Sequence, residues 1–185
     1  MLALDIPSPV SAGFQGPKAW VGCLNCYNSG DLVGEWFEAA EAADVTLDVL
    51  HLEHPLTEGC EEMWCFDVDG LPVDEEMDPL TAARWGNLIN SIDEDLQSSF
   101  FAWIEAGAAS YDSDDIPDAD AFSDAFIDVF TDFREYADHL ADETLLFDVS
   151  DEVRRYFDYE SFVRDLSMDY VVEPLPDGYV AVFHM

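Results

Sequence analysis

The sequence contains very few basic residues: six Lys and Arg stand against 42 Asp and Glu, which gives a formal net charge of −36 over 185 residues. Because like charges repel and the six bases are scattered, nucleic acid is excluded as a partner. Long hydrophobic runs are also missing, so no segment is predicted to span a membrane. Residues 1–14 lack the basic start and apolar stretch of a signal peptide, and we therefore expect a cytoplasmic protein.

Apolar residues, in contrast, are not scarce. Hydrophobic residues make up 49% of the chain and aromatic residues 14%, which is enough to bury a core and excludes an acidic disordered tail. So large a charge destabilises a compact chain by self-repulsion. Three explanations for it are halophilic adaptation, a calcium or polycation buffer, and imitation of a polyanion. The 42 carboxylates match the phosphates of about 21 base pairs of duplex DNA.

Motifs that carry enzyme chemistry are absent as well. The sequence has no P-loop, no G-x-G-x-x-G and no G-x-S-x-G, and we predict that the protein is not an enzyme. Asp112-x-Asp114 and Asp67-x-Asp69-Gly70 resemble the start of a calcium loop. Neither continues, and Pro117 occupies the glycine position that the first would require.

The four cysteines raise the question of a metal. Cys23-x2-Cys26 and Cys60-x4-Cys65 have spacings that could form a four-thiolate zinc site, with two histidines nearby at positions 51 and 54. Cys65, however, lies in a predicted strand, and a reducing cytoplasm disfavours disulfides. We therefore expect reduced thiols, with no metal and no cofactor.

Three small domains are predicted after an irregular leader at residues 1–18. The first, at 19–76, is an α/β domain with strands at 20–24, 32–37 and 63–68, a turn at 25–30 and a helix at 41–52.

A helical middle domain is predicted at 77–108. Asp78 is the expected N-cap of its first helix, Pro79 lies in the first turn, and apolar residues keep helical spacing to position 92. Asp93, Glu94 and Asp95 then open a second helix.

The third domain, at 109–185, begins within an acidic linker at 107–117. It contains a long acidic helix at 120–143, a short helix at 161–166 and a hairpin with strands at 170–172 and 179–183. The fold class is therefore α+β.

The long acidic helix carries the clearest charge pattern. Its apolar residues keep a three-four spacing, whereas Asp120, Asp124, Asp128 and Asp132 recur every four residues. Consecutive members of this stripe would lie about 6 Å apart along a helix axis, and like charges so placed destabilise a helix by roughly 0.2–0.5 kcal/mol per pair. Folding alone does not explain such a stripe, which favours a function for the charge.

Two segments resemble the ArdA family of antirestriction proteins. Residues 24–37, L-N-C-Y-N-S-G-D-L-V-G-E-W-F, are similar to the family's N-L-G-x-Y-N-x-G-x-L-x-G-x-W, and residues 156–166, Y-F-D-Y-E-S-F-V-R-D-L, to its Y-I-D-Y-x-x-x-x-R-D-L. Residues 91–98 and the Gly178-Tyr179 strand extend the likeness over 19–185. The chain departs from the pattern at Cys23, Asn25 and Val163.

The resemblance implies an elongated, curved row of three small domains and a homodimer whose carboxylates follow the phosphates of bent DNA. It implies inhibition of type I restriction-modification enzymes, by occupying the DNA groove of the methyltransferase core. Plasmids, transposons and phages carry such proteins into bacterial hosts. Arg154, Arg155 and Arg164 are expected to pair locally with Asp151, Asp158 or Asp165, and a role at the dimer contact is the alternative.

The carboxylates predicted to imitate phosphates share high local acidity and are Glu61, Glu62, Glu75, Glu76, Asp93, Glu94, Asp95, Asp112, Asp114, Asp115, Asp120, Asp124, Asp128, Asp132, Glu135, Asp138 and Asp142. Two alternatives stay open: an acidic DNA-mimic regulator of another basic DNA-binding protein, and an acidic housekeeping protein of a salt-loving cell.

Overall fold

The structure is a computed structural model that describes residues 16–185. Most of the leader predicted at 1–18 lies outside the described residues, and the first strand already begins at Lys18. The α+β prediction is confirmed, because helices accompany two antiparallel sheets of three strands each. Within the described range no helix is long and apolar enough to cross a membrane.

The chain divides into two compact units, with the boundary between Asp93 and Glu94. This boundary falls inside the segment predicted as the helical middle domain, and the arrangement of three domains in a row stays a prediction. The strands and helices are β1 (Lys18–Cys23), α1 (Leu24–Ser29), β2 (Gly34–Glu38), α2 (Leu47–Leu50), β3 (Met63–Asp69), α3 (Pro79–Ser91), α4 (Gln97–Glu105), α5 (Ala119–Ala125), β4 (Phe126–Phe130), α6 (Phe133–Leu140), α7 (Asp151–Arg154), α8 (Tyr159–Leu166), β5 (Tyr170–Pro174) and β6 (Val180–His184).

The first unit is built on a sheet with the order β2-β1-β3, in which both pairings are antiparallel. The three predicted strands are thus confirmed. Central strand β1 is almost entirely buried, and Trp20 is 2% exposed. Short 3-10 helix 39–44 packs against α3, so the sheet and α3 enclose one apolar core.

Two predictions within this unit were wrong. The turn predicted at 25–30 is helix α1, which ends at Gly30 with φ of 93°, a left-handed conformation that glycine adopts readily. The helix predicted at 41–52 is instead split into 3-10 helix 39–44 and α2. Thr46 caps α2 by accepting a hydrogen bond from the Val49 amide at 3.4 Å, and the extended backbone of this cap breaks the helix.

Helix α3 begins as the sequence predicts. The Asp78 carboxylate accepts hydrogen bonds from the Leu80 amide at 2.9 Å and the Thr81 amide at 3.1 Å, and Pro79 occupies the first turn. Together with the Thr81 hydroxyl, which is the largest contributor, these bonds lower the pKa of Asp78. The second predicted helix of this region starts later, as α4, after a short 3-10 helix at 94–96.

The second unit contains a sheet with the order β4-β6-β5, also antiparallel. The predicted C-terminal hairpin is confirmed as β5 and β6, and the short helix at 161–166 is confirmed within α8. Phe122 is 2% exposed and lies against the rings of Phe100, Trp103, Phe126 and Phe183. This aromatic cluster forms the core between α4, α5 and the sheet.

The prediction of one long helix at 120–143 was wrong. Residues 119–145 form α5, β4, α6 and a π-helical turn at 141–145. The stretch Phe-Ile-Asp-Val-Phe at 126–130 is rich in aromatic and β-branched residues, which favour strands, and it pairs with β6 along Phe126–Phe183 and Phe130–Val180. Pairing to a buried strand outweighs the helical spacing of the same residues.

Candidate functional site

The predicted carboxylates of the first unit stand on its connecting segments. Glu61 and Glu62 directly precede β3, and Glu75 and Glu76 lie shortly before Asp78, the N-cap of α3; all four side chains are exposed. The backbone carbonyl of Glu62 accepts a hydrogen bond from the Leu24 amide at 3.0 Å. The backbone that carries these charges is therefore attached to the core of the unit.

Three acidic residues follow one another at the boundary between the units. Asp93 comes after the last turn of α3, and Glu94 and Asp95 lie in 3-10 helix 94–96. All three are exposed. Glu94 and Asp95 occupy the first turn of this 3-10 helix, where negative charge is favourable beside the unpaired backbone amides.

The segment at 107–117, predicted as an acidic linker, is an ordered loop. Asp112 holds it in shape, because its carboxylate accepts hydrogen bonds from the Asp114 amide at 2.8 Å and the Ile116 amide at 3.0 Å. Asp115 adopts a left-handed φ of 58° at the exposed tip. Asp112 therefore organises the turn that displays Asp114 and Asp115.

The acidic residues of the predicted stripe remain exposed, although they do not share one helix. Asp120 lies in the first turn of α5 and Asp124 one turn later, Asp128 lies on β4, and Asp132 is the N-cap of α6. All four side chains are exposed. Their regular spacing in sequence thus becomes a series of acidic positions on three consecutive elements.

The last three predicted carboxylates are half-buried and locally engaged. Glu135 accepts hydrogen bonds from the Thr131 amide and hydroxyl at 2.8 Å, and these bonds lower its pKa. Asp138 lies 3.4 Å from Arg134. Asp142 accepts hydrogen bonds from Arg154 at 3.1 Å and from Tyr159 at 2.6 Å. These three groups are therefore engaged with partners inside the second unit in addition to carrying charge.

The few cations are compensated within the chain. Ion pairs join Lys18 with Asp69 (3.5 Å), Arg134 with Asp138 (3.4 Å) and Glu160, Arg154 with Asp142 (3.1 Å), and Arg164 with Asp165 (2.9 Å). The predicted pair of Arg164 is confirmed, whereas Arg154 pairs with Asp142 and not with Asp151. Such pairs contribute little to stability, but they cancel local positive charge.

The cysteines do not form the four-thiolate group that their spacing allows. Cys65 lies in β3, where burial raises its pKa to about 12. Cys23, Cys26 and Cys60 instead meet His51, with the ligand atoms of all four within 4.8 Å of one another. His51 is nine residues from Cys60, the nearest cysteine in the sequence, so only the fold brings it to this cluster.

The fold and the surface define an acidic α+β protein with exposed carboxylates in both units and cations held in local ion pairs. A sequence model of the antirestriction protein (ArdA) family matches residues 19–181, nearly the whole chain, and the chain belongs to that family. Membership in this family implies an antirestriction function and, at a coarse level, a restriction-modification enzyme as partner. No curated protein matches the chain.

Proposed function

We propose that this protein is a DNA mimic that occupies the DNA-binding groove of a type I restriction-modification enzyme and thereby blocks it. One observation supports the proposal above all. Apart from Glu135, Asp138 and Asp142, every carboxylate predicted to imitate a phosphate is exposed, while most cations are engaged with acids of the same chain. The surface therefore offers negative charge to a basic partner.

The mechanism follows from how enzymes hold DNA. A groove that contacts many phosphates is lined with Lys and Arg, and it gains affinity by neutralising those phosphates. Exposed carboxylates meet the same fixed charges, and long-range attraction accelerates the encounter. Phosphate contacts carry no base sequence, so the inhibitor acts on enzymes with different recognition sites. The partner we propose is the methyltransferase core, in the cytoplasm of a bacterial host that a mobile element enters.

The test is competition for the groove. The purified chain is added to a type I methyltransferase core bound to fluorescent duplex DNA, and DNA release is measured by anisotropy from low to high salt. We expect full release at low salt, and the dissociation constant derived for the chain should rise steeply with salt, because screening shortens the range of the attraction to about 8 Å at physiological ionic strength.

Two outcomes contradict the proposal. Absence of competition at low salt, with the chain folded by circular dichroism, points to a different basic DNA-binding protein as target. Unfolding of the chain in dilute buffer, with recovery in concentrated salt, identifies halophilic acidity instead.

We also propose that the protein acts as a homodimer. Large apolar side chains are unusually exposed in the second unit around α7, where Phe147 is 81% and Tyr156 is 86% exposed. Arg154 donates hydrogen bonds to Asp142 at 3.1 Å and to the Leu146 carbonyl at 2.8 Å, and so fixes α7 to the preceding turn. Because two chains of charge −36 repel, a contact on this apolar segment, beside Arg154 and Arg155, is the favourable choice.

A single charge in this segment should dissociate the dimer. We expect Phe147→Asp to raise the dimer dissociation constant by about 30-fold, which corresponds to the roughly 2 kcal/mol of a central interface residue. Multi-angle light scattering after gel filtration measures the mass. Leu52→Asp is the matched control, because Leu52 is 83% exposed in the first unit; a Phe147→Asp chain that stays as dimeric as this control contradicts the interface.

A further inference from the structure

Three sulfurs and one imidazole converge in the first unit. Cys23 ends β1, Cys26 lies in α1, His51 caps the C-terminus of α2, and Cys60 precedes β3. Their ligand atoms all lie within 4.8 Å of one another. The Cys26 and Cys60 sulfurs are 3.8 Å apart, which is far beyond a disulfide bond of about 2.05 Å. It equals the separation of about 3.8 Å that two sulfurs have when each binds one tetrahedral zinc at about 2.3 Å.

The imidazole of His51 is set up as a ligand. Its Nδ1 lies 3.2 Å from the Pro55 carbonyl oxygen, which accepts a hydrogen bond from it, and this leaves the lone pair on Nε2. The side chain is only 7% exposed, and its Nε2 has no hydrogen-bond partner among the described residues. Buried polar atoms without a partner are costly. A backbone carbonyl that holds one ring nitrogen while the other binds a metal is the usual outer shell of a histidine ligand.

The cysteine side has an outer shell as well. The Thr57 hydroxyl lies 3.3 Å from the Cys60 sulfur, and the Asn25 amide group donates to the same sulfur at 3.7 Å. Donors of this kind stabilise a thiolate. Cys23 is fully buried and Cys60 is 7% exposed, so the sulfurs are screened from solvent on most sides.

We propose that Cys23, Cys26, His51 and Cys60 form a closed tetrahedral site for one structural Zn²⁺ ion. Three thiolates and an imidazole suit zinc, whereas the hard cations Ca²⁺ and Mg²⁺ require oxygen ligands. Four protein ligands leave no open coordination position, which is the property of a structural and not a catalytic site. Binding releases the thiol protons, so three thiolates and Zn²⁺ leave one net negative charge.

The position of the site gives it a structural task. Residues 52–59 are all exposed, so this segment buries little apolar surface of its own. The site attaches both ends of the segment, at His51 and Cys60, to the end of β1 and the start of α1. Because Glu61 and Glu62 follow Cys60 directly, it also fixes the backbone that carries this acidic pair.

The experiment is metal analysis of the full-length chain, purified under reducing conditions from zinc-supplemented cells and passed through a weak chelator. We expect about one zinc per chain by mass spectrometry. Co²⁺ substitution should give the ligand-field bands of tetrahedral cobalt together with thiolate charge-transfer bands. Removal of the metal with a strong chelator should lower the Tm of the chain by at least about 10 °C.

Matched variants separate the site from diffuse binding to carboxylates. Cys26→Ser and His51→Ala should lose the zinc, whereas Cys65→Ala and His54→Ala should keep it, since Cys65 and His54 stand outside the cluster. If a variant fails to fold, the cobalt spectrum of the unaltered chain shows whether thiolates bind the metal in a tetrahedral site. Four results would each overturn the proposal. They are a metal-free chain with four reduced thiols, a Cys26–Cys60 disulfide, iron or copper in place of zinc, and an unchanged zinc content in Cys26→Ser.

Discussion

Neutralising a block of exposed carboxylates is expected to weaken inhibition of the restriction-modification enzyme by on the order of 10³-fold. Exposed ion pairs contribute about 0.5 kcal/mol each, so a single amide substitution costs about twofold and eight together cost about 4 kcal/mol. The eight positions were chosen because their side chains are exposed and take no part in the half-buried ion pairs. The substitutions are Asp93→Asn, Glu94→Gln, Asp95→Asn, Asp114→Asn, Asp115→Asn, Asp120→Asn, Asp124→Asn and Asp128→Asn.

The same substitutions should leave the fold intact or make it more stable, because they reduce self-repulsion within the chain. Inhibition and stability are therefore expected to change in opposite directions, which distinguishes a charge effect from damage to the fold. The measurements are the inhibition constant against a type I enzyme and the Tm of the same preparation. If the chain with all eight substitutions inhibits as well as the original chain, the DNA-mimic proposal is wrong.

The salt dependence of inhibition should fall in parallel. Each lost contact with a groove cation reduces the number of ions released on binding, so the slope of log affinity against log salt becomes shallower. The original chain should itself show a shallower slope than duplex DNA, since carboxylates on a folded surface are less dense than phosphates and condense fewer counterions.

The largest expected loss of stability comes from a methyl group added to Gly86. This glycine lies within α3, where alanine is the better helix former by about 1 kcal/mol. An added Cβ, however, would lie 2.2 Å from the Ala40 nitrogen and 2.6 Å from the Ala39 carbonyl carbon. Those are backbone atoms of the 3-10 helix packed on α3, and they cannot rotate away. We expect Gly86→Ala to reduce the free energy of unfolding by about 3 kcal/mol.

Urea unfolding followed by far-ultraviolet circular dichroism measures this loss. Asn90→Ala is the control, because it also introduces an alanine into the same helix, but at an exposed position; it should be neutral or stabilising by a few tenths of a kcal/mol. Gly86→Ala with the stability of Asn90→Ala would mean that α3 and the 3-10 helix are not in such close contact.

Local signals predicted those parts of the fold that depend on neighbouring residues. The Asp78-Pro79 start of α3 and the hairpin closed by Gly178 are encoded by cap and turn chemistry, and both were predicted. The split at Thr46 has a similar local cause, a cap inside an apparently continuous helical pattern, and was missed.

Other parts depend on contacts between distant residues. The stretch at 126–130 satisfies helical spacing and strand composition equally well, and only its pairing with β6 decides for the strand. His51 reaches the cysteines only because α2 packs beside β1. The acidic surface was predictable residue by residue, since Asp and Glu are almost always exposed, but its distribution over different elements was not.

The order of strands in the two sheets places acidic side chains on the outer strands. The outer strands β2, β3, β4 and β5 carry Glu35, Asp67, Asp128 and Glu173 respectively. An outer strand with unpaired backbone groups invites pairing with another chain, and a charged side chain on it opposes that pairing. The negative charge that we propose for binding a basic groove thus also opposes edge-to-edge pairing of the small sheets with other chains.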